Sequence, residues 1–131
     1  MRTAGAGGDP VKAVLVGTGG ISQQHAEGYL KLKDRVKLVA AMDIKPEALA
    51  AFCAKNGISG RYDSLEKLLE IEKPDLVSIC TPPGLHTDQT IQALRAGAWV
   101  LCEKPFVGSL ADLDRVEAVE KETGNFACSV F

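Results

Sequence analysis

The chain has 131 residues, with 15 basic and 17 acidic side chains, a formal net charge of −2 and 46% hydrophobic residues. That length suits one domain, and that composition is the ordinary globular one. No basic block marks a nucleic-acid partner or an anionic membrane surface, and no apolar run is long enough to span a bilayer.

Residues 1–10 are rich in Gly and Ala and lack an apolar core segment, so they read as a flexible lead-in to a domain over 11–131, not an export signal. Val11 to Val16 is short, apolar and β-branched, as a strand buried on both faces should be. Gly17 to Gly20 ends it. Ile21, His25, Gly28, Tyr29 and Leu32 then follow a helical period. Val36 to Met42 is a second apolar strand closing at Asp43. Pro46 suits the first turn of the next helix, with Leu49, Phe52 and Cys53 inward and Asn56-Gly57 as its stop. Ile58 to Tyr62 makes a short third strand. Asp63 with Glu66 resembles a capping box for a helix carrying Leu65, Leu68 and Leu69. Leu76 to Cys80 is the fourth strand. A Pro-Pro-Gly turn, a helix from about His86 to Ala96 and a fifth strand, Trp99 to Cys102, follow. Ser109 with Asp112 caps a last helix running to about Thr123, and Phe126 to Phe131 begins a sixth strand. Short connections and near-continuously apolar strands point to an α/β, doubly wound parallel sheet with helices on both faces, the Rossmann arrangement.

The four cysteines, Cys53, Cys80, Cys102 and Cys128, form no C-x-x-C pair, and no metal site is expected from them. The last three end apolar runs and read as small buried hydrophobes. Free thiols without an export signal fit a reducing cytoplasm. Tyr29 and Trp99 read as core.

The chemistry-bearing positions cluster where strands end. Gly17-Thr18-Gly19-Gly20-Ile21-Ser22 follows a strand and opens a helix, which is the setting of a dinucleotide loop. Gly17 would permit the turn, Gly19 would let a pyrophosphate approach the backbone, and the helix start at Gly20 and Ile21 would face the phosphates. Ser22 stands where the pattern has its third glycine and is small enough for close helix–strand packing. The alternative is an ordinary glycine turn. Asp43 ends the second strand, where a carboxylate receives the adenine-ribose hydroxyls and repels a 2′-phosphate, favouring NAD over NADP. The alternative there is a solvated loop residue.

Thr81-Pro82-Pro83-Gly84-Leu85-His86 and Glu103-Lys104-Pro105 end the fourth and fifth strands, on the same sheet edge. Pro105 admits a cis peptide bond after Lys104. Lys104 is a candidate to touch a substrate hydroxyl or the nicotinamide ribose. His86 has two open readings, a contact to that ribose or structural duty at a helix start. His25 reads as a packed, hydrogen-bonded core residue.

Together, Gly-Thr-Gly-Gly-Ile-Ser with His25-Ala26, Val-Ala-Ala-Met-Asp at Asp43, Thr-Pro-Pro-Gly-Leu-His and Cys-Glu-Lys-Pro resemble the glucose–fructose oxidoreductase/inositol dehydrogenase (Gfo/Idh/MocA) family over Val11 to Phe131. The resemblance implies NAD(P), a sugar, cyclitol or related polyol as substrate, Lys104 lining the active site, and Thr81 and Pro82 beside the nicotinamide. Glu103 shares the edge with Lys104. It also implies a second, mostly β substrate domain of α+β type beyond residue 131, carrying an Asp and a His on one helix, and a homo-oligomer of the complete protein. On that reading residues 1–131 alone are expected to be inactive. Two rivals are an NAD-binding regulatory module and, as the resemblance also implies, an NAD-assisted glycoside hydrolase.

Overall fold

Alternate side chains of a strand point to opposite faces, so a strand buried on both sides must be apolar at every position. β1 (Val11–Val16) does this: Ala13 and Leu15 join one core and Val14 and Val16 the other, all with no exposure. The computed structural model describes residues 8–130. The expectation of a flexible lead-in over residues 1–10 therefore falls largely outside the described residues.

Around β1 the chain adds α1 (Ser22–Lys31), β2 (Val36–Met42), α2 (Pro46–Asn56), β3 (Gly60–Tyr62) and α3 (Leu65–Glu72). There follow β4 (Leu76–Ile79), a 3₁₀ turn (Pro83–Leu85), α4 (His86–Arg95), β5 (Trp99–Cys102), α5 (Leu110–Thr123) and β6 (Ala127–Ser129). The six strands are all parallel in the order β3-β2-β1-β4-β5-β6. The doubly wound parallel sheet expected from the sequence is the fold. The chain winds outward from β1 in one direction and from β4 in the other, so the connections after these two neighbours diverge.

One face carries α3, α4 and α5 over Val14, Val16, Val77, Ile79, Val100 and Cys102. The other carries α1 and α2 over Ala13, Leu15 and Ala41. On that second face no helix among the described residues covers β5 and β6. This corrects two expectations. Trp99 is 48% exposed, resting edge-on against Phe126 with ring centroids 5.5 Å apart, and is not core. Cys128, paired with Leu101 on the same face, is exposed instead of buried. Cys53 and Cys102 are buried as expected, and none of the four cysteines is in a disulfide.

The helical period of α1 also needs adjusting. Its buried residues are Ser22, Ala26 and Tyr29, whereas Ile21 and Leu32 are 38% and 48% exposed. The small residues let the helix lie close to the sheet, and the larger ones border it. The helix α3 is capped by Ser64, whose hydroxyl accepts from the Lys67 amide at 3.3 Å, and not by Asp63. Asp63 instead forms an exposed ion pair with Lys67 at 3.7 Å. Ser109 caps α5 as expected, accepting from the Asp112 amide at 3.1 Å.

Ser64→Ala should lower stability by about 1 kcal/mol, the usual cost of an N-cap. Asp63→Ala should leave the thermal midpoint nearly unmoved, since exposed ion pairs contribute little. Denaturant unfolding of the two variants checks the assignment of the cap.

Candidate functional site

In a parallel sheet every strand ends at the same edge, so the residues after β1, β2, β4 and β5 meet there. Backbone bonds carry the ladder past the strand ends: Gly17 N–H to the Met42 carbonyl at 2.8 Å, Cys80 N–H to Val16 at 2.8 Å, and Glu103 N–H to Ile79 at 2.9 Å. The edge is therefore a rigid rim and not a set of independent loops.

Gly17 sits at φ +91°, and a Cβ there would stand 2.9 Å from the Cys80 carbonyl carbon and oxygen. Only glycine allows the first loop to press against the fourth. Gly19 and Gly20 differ: a Cβ at either meets nothing within 4 Å, and both are exposed. Ser22, at the third position of the pattern, has no exposure, and its hydroxyl bonds the Gly19 carbonyl. The amides of Ser22, Gln23 and Gln24 turn back to the carbonyls of Gly19, Gly20 and Ile21 at 3.1, 3.4 and 3.1 Å.

Asp43 is bound into this loop. Its Oδ2 accepts from the Thr18 amide at 2.9 Å and the Thr18 hydroxyl at 2.6 Å, while Oδ1 accepts from the Lys45 amide at 2.9 Å. Burial pushes the carboxyl up. Hydrogen bonds from the Thr18 hydroxyl and the Lys45 and Thr18 amides, with the Lys45 charge, outweigh burial and hold it below the usual aspartate range. It is thus not a free loop side chain. Thr18, which the sequence reading passed over, is its main partner; the signal was a hydroxyl residue between the first two glycines.

Eight of the ten sequence-designated residues line two cavities. Gly17, Gly19, Asp43, Thr81 and Pro82 line a cleft of about 510 Å³, together with Thr18, Lys45, Cys80 and Gln89. Ile21, Glu103 and Lys104 line a second, of about 530 Å³, between α1 and the β5–β6 end. The Glu-Lys-Pro segment is therefore beside the glycine cleft, not inside it. Gly20 is exposed and lines neither cavity. The Lys104–Pro105 bond is cis.

His86 is 1% exposed, with Nδ1 2.7 Å from the Pro105 carbonyl and Nε2 2.7 Å from the Thr81 carbonyl. Both nitrogens meet backbone carbonyls, so the ring is packed between the turns after β4 and β5. His25 is packed and hydrogen-bonded as expected, at 2.8 Å from Glu103 and 3.2 Å from Ser78 Oγ. Ser78 also bonds the Tyr29 hydroxyl. A lone Ser in the apolar strand Leu-Val-Ser-Ile was the available signal for this buried chain. Burial first, then the nearby Glu103 charge and Cys102, pushes the Cys80 thiol up to about 12, so it is no nucleophile. Among the described residues no group of three or more His, Cys, Asp or Glu could hold a metal ion, and no helix is long and apolar enough to cross a membrane.

A divergent parallel sheet with a glycine loop after β1 and an acidic residue after β2 defines a dinucleotide-binding Rossmann domain. Residues 11–131 match the family model GFO_IDH_MocA, described as an oxidoreductase family with an NAD-binding Rossmann fold, and the chain belongs to that family. It is 32% identical over 96 residues to D-glucoside 3-dehydrogenase of Escherichia coli, covering 73% of this chain and 27% of that one. It is 33% identical over 102 residues to myo-inositol 2-dehydrogenase of Thermotoga maritima, covering 78% and 30%. The WlbA dehydrogenase of Bordetella pertussis, solved with NADH and UDP-GlcNAcA, superposes with a TM-score of 0.88 at 34% identity, over 93% of this chain and 37% of that one. The chain thus spans about a third of the length of these relatives.

Because the Asp43 carboxyl is lowered in the fold, its ionised form stabilises the protein above the ordinary aspartate range, and that contribution is lost as pH falls through the lowered value. Asp43→Asn should flatten the acid limb of stability, read as thermal midpoints from pH 7 to about pH 3. The two glycines should separate. Gly17→Ala should destabilise the fold itself, through positive φ and the clash with Cys80. Gly19→Val should keep the far-UV spectrum and lose most NAD affinity by calorimetry.

Proposed function

We propose that this domain serves an NAD-dependent dehydrogenase that moves a hydride between a sugar, cyclitol or related polyol and the nicotinamide. The observation that carries the reading is the locking of the glycine loop to Asp43 through Thr18, on the same rim as the Thr81–Pro82 turn and Lys104. NAD fits the residues present. The open space above Gly19 and Gly20 gives its phosphates a close approach, and the Asp43 carboxylate has its plane fixed beside the cleft. On this reading Asp43 accepts from the ribose hydroxyls and rejects a 2′-phosphate by charge. Thr81 and Pro82 border the nicotinamide, with Ile21 at the turn into the second cavity.

When bound, NAD supplies the hydride acceptor or donor. Lys104 holds the substrate oxygen by a charge-assisted hydrogen bond and stabilises the negative charge that develops there. The group taking the hydroxyl proton belongs to the second domain that the family resemblance implies, and the substrate lies between the two. The dehydrogenases named above act on a glucoside and an inositol, which supports the polyol class. A homo-oligomeric complete protein in a reducing, cytoplasmic setting completes the proposal, in keeping with four cysteines outside any disulfide.

Titration with NAD and NADP should show tighter binding of NAD, and Asp43→Ala should narrow the difference. Equal or tighter NADP binding by the unaltered chain sinks the role given to Asp43. In the complete enzyme, Lys104→Ala should lower kcat/KM by more than it weakens NAD binding. Loss of NAD affinity with unchanged turnover at saturating cofactor would make Lys104 a cofactor clamp instead.

A further inference from the structure

Lys104 is itself exposed, but the residues on either side of it are each held by a buried histidine, and these are the only two histidines in the chain. From α1, on one face of the sheet, His25 Nε2 meets Glu103 Oε2 at 2.8 Å; their side chains are 7% and 14% exposed. From the start of α4, on the other face, His86 Nδ1 meets the Pro105 carbonyl at 2.7 Å. The sheet offers little else to fix this segment. After Glu103 N–H bonds Ile79 the chain leaves the ladder and has no regular structure until α5 begins at Leu110.

Each contact is polar on both sides. His25 Nε2 meets the Glu103 carboxylate, and Nδ1 meets Ser78 Oγ, which in turn bonds Tyr29. The chain Tyr29–Ser78–His25–Glu103 is closed, with every buried polar atom partnered. His86 stands between two carbonyl oxygens, of Pro105 and Thr81, each 2.7 Å from a ring nitrogen, so the ring ties the turn after β4 to the turn after β5. An apolar side chain could fill either site, but it would hold neither Glu103 nor Pro105.

We propose that His25 and His86 are a paired brace that positions Lys104. Each fixes one flanking residue from an opposite face of the sheet, so the lysine extends into the second cavity from an immobile base. Through Thr81, His86 also sets the spacing between the turn assigned to the nicotinamide and the turn that carries Lys104. The functional meaning rests on reading Lys104 as the group that faces the substrate oxygen; the brace itself does not.

Nitrogen-15 NMR of the labelled chain tests it. In the unaltered protein the Lys104 amide should be as ordered as β5, with an order parameter near ~0.85. In His86→Phe and in His25→Leu the Lys104 amide should drop towards ~0.6 or below while β5 keeps its order. Unchanged order at Lys104 in both variants overturns the proposal. If His86→Phe fails to fold, His25→Leu decides, and unchanged order at Lys104 in that variant alone then overturns the proposal. In the complete enzyme His25→Leu should lower kcat while leaving the KM for NAD nearly unchanged. Normal turnover by Lys104→Ala would sink the catalytic reading of the lysine and leave the brace standing.

Discussion

The structure turns on one close approach. The loop after β1 lies against the backbone after β4, with room at Gly17 for no side chain at all. This contact stands where the chain winds away in two directions, so the loops that follow must part, and a cleft opens between them. Gly17 N–H bonds the end of β2, and Cys80 N–H bonds the end of β1. The position of every group on the rim therefore depends on three strands being in register. A methyl group at Gly17 would force the central loops apart and change the shape of the cleft before it changed its chemistry.

Two part-buried polar systems then fix the rim from below. On the β2 side, Thr18 gives both its amide and its hydroxyl to one oxygen of Asp43. A carboxylate at a strand end becomes a fixed acceptor. On the β5 side, the two histidines hold the chain around Lys104 from opposite faces. Neither system adds much apolar burial. Each places polar groups against a well-packed sheet, where unpaired ones would be costly. Both lie under positions where a ligand would need groups at defined distances.

The elements could be read from the sequence because each strand is apolar throughout and each helix has its own start or stop signal. Pro46, Gly57, Ser109 and Gly124 all act where their chemistry places them. The failures share one physical cause. Apolarity says that a residue prefers burial, not that a partner covers it. Trp99 and Cys128 lie on a sheet face that no described helix covers, and Ile21 and Leu32 border a helix whose close packing belongs to Ser22, Ala26 and Tyr29. The rim residues were legible by their place after strands. What was not legible was how they pair across 25 to 78 positions of sequence, as Thr18 does with Asp43 and His25 with Glu103. Two cavities instead of one continuous groove are likewise a product of three-dimensional packing.

On the proposed reading one rim, from the glycine loop to the Glu-Lys-Pro turn, receives the dinucleotide. Titrating NAD into the nitrogen-15-labelled chain and following each backbone amide tests it most directly. Shifts should begin at Thr18, Gly19, Gly20 and Ile21, include Asp43 and Thr81, and reach Lys104, with the opposite sheet edge silent. Shifts confined to the groove between α3 and α4, or to the exposed face of β5 and β6, would contradict the account.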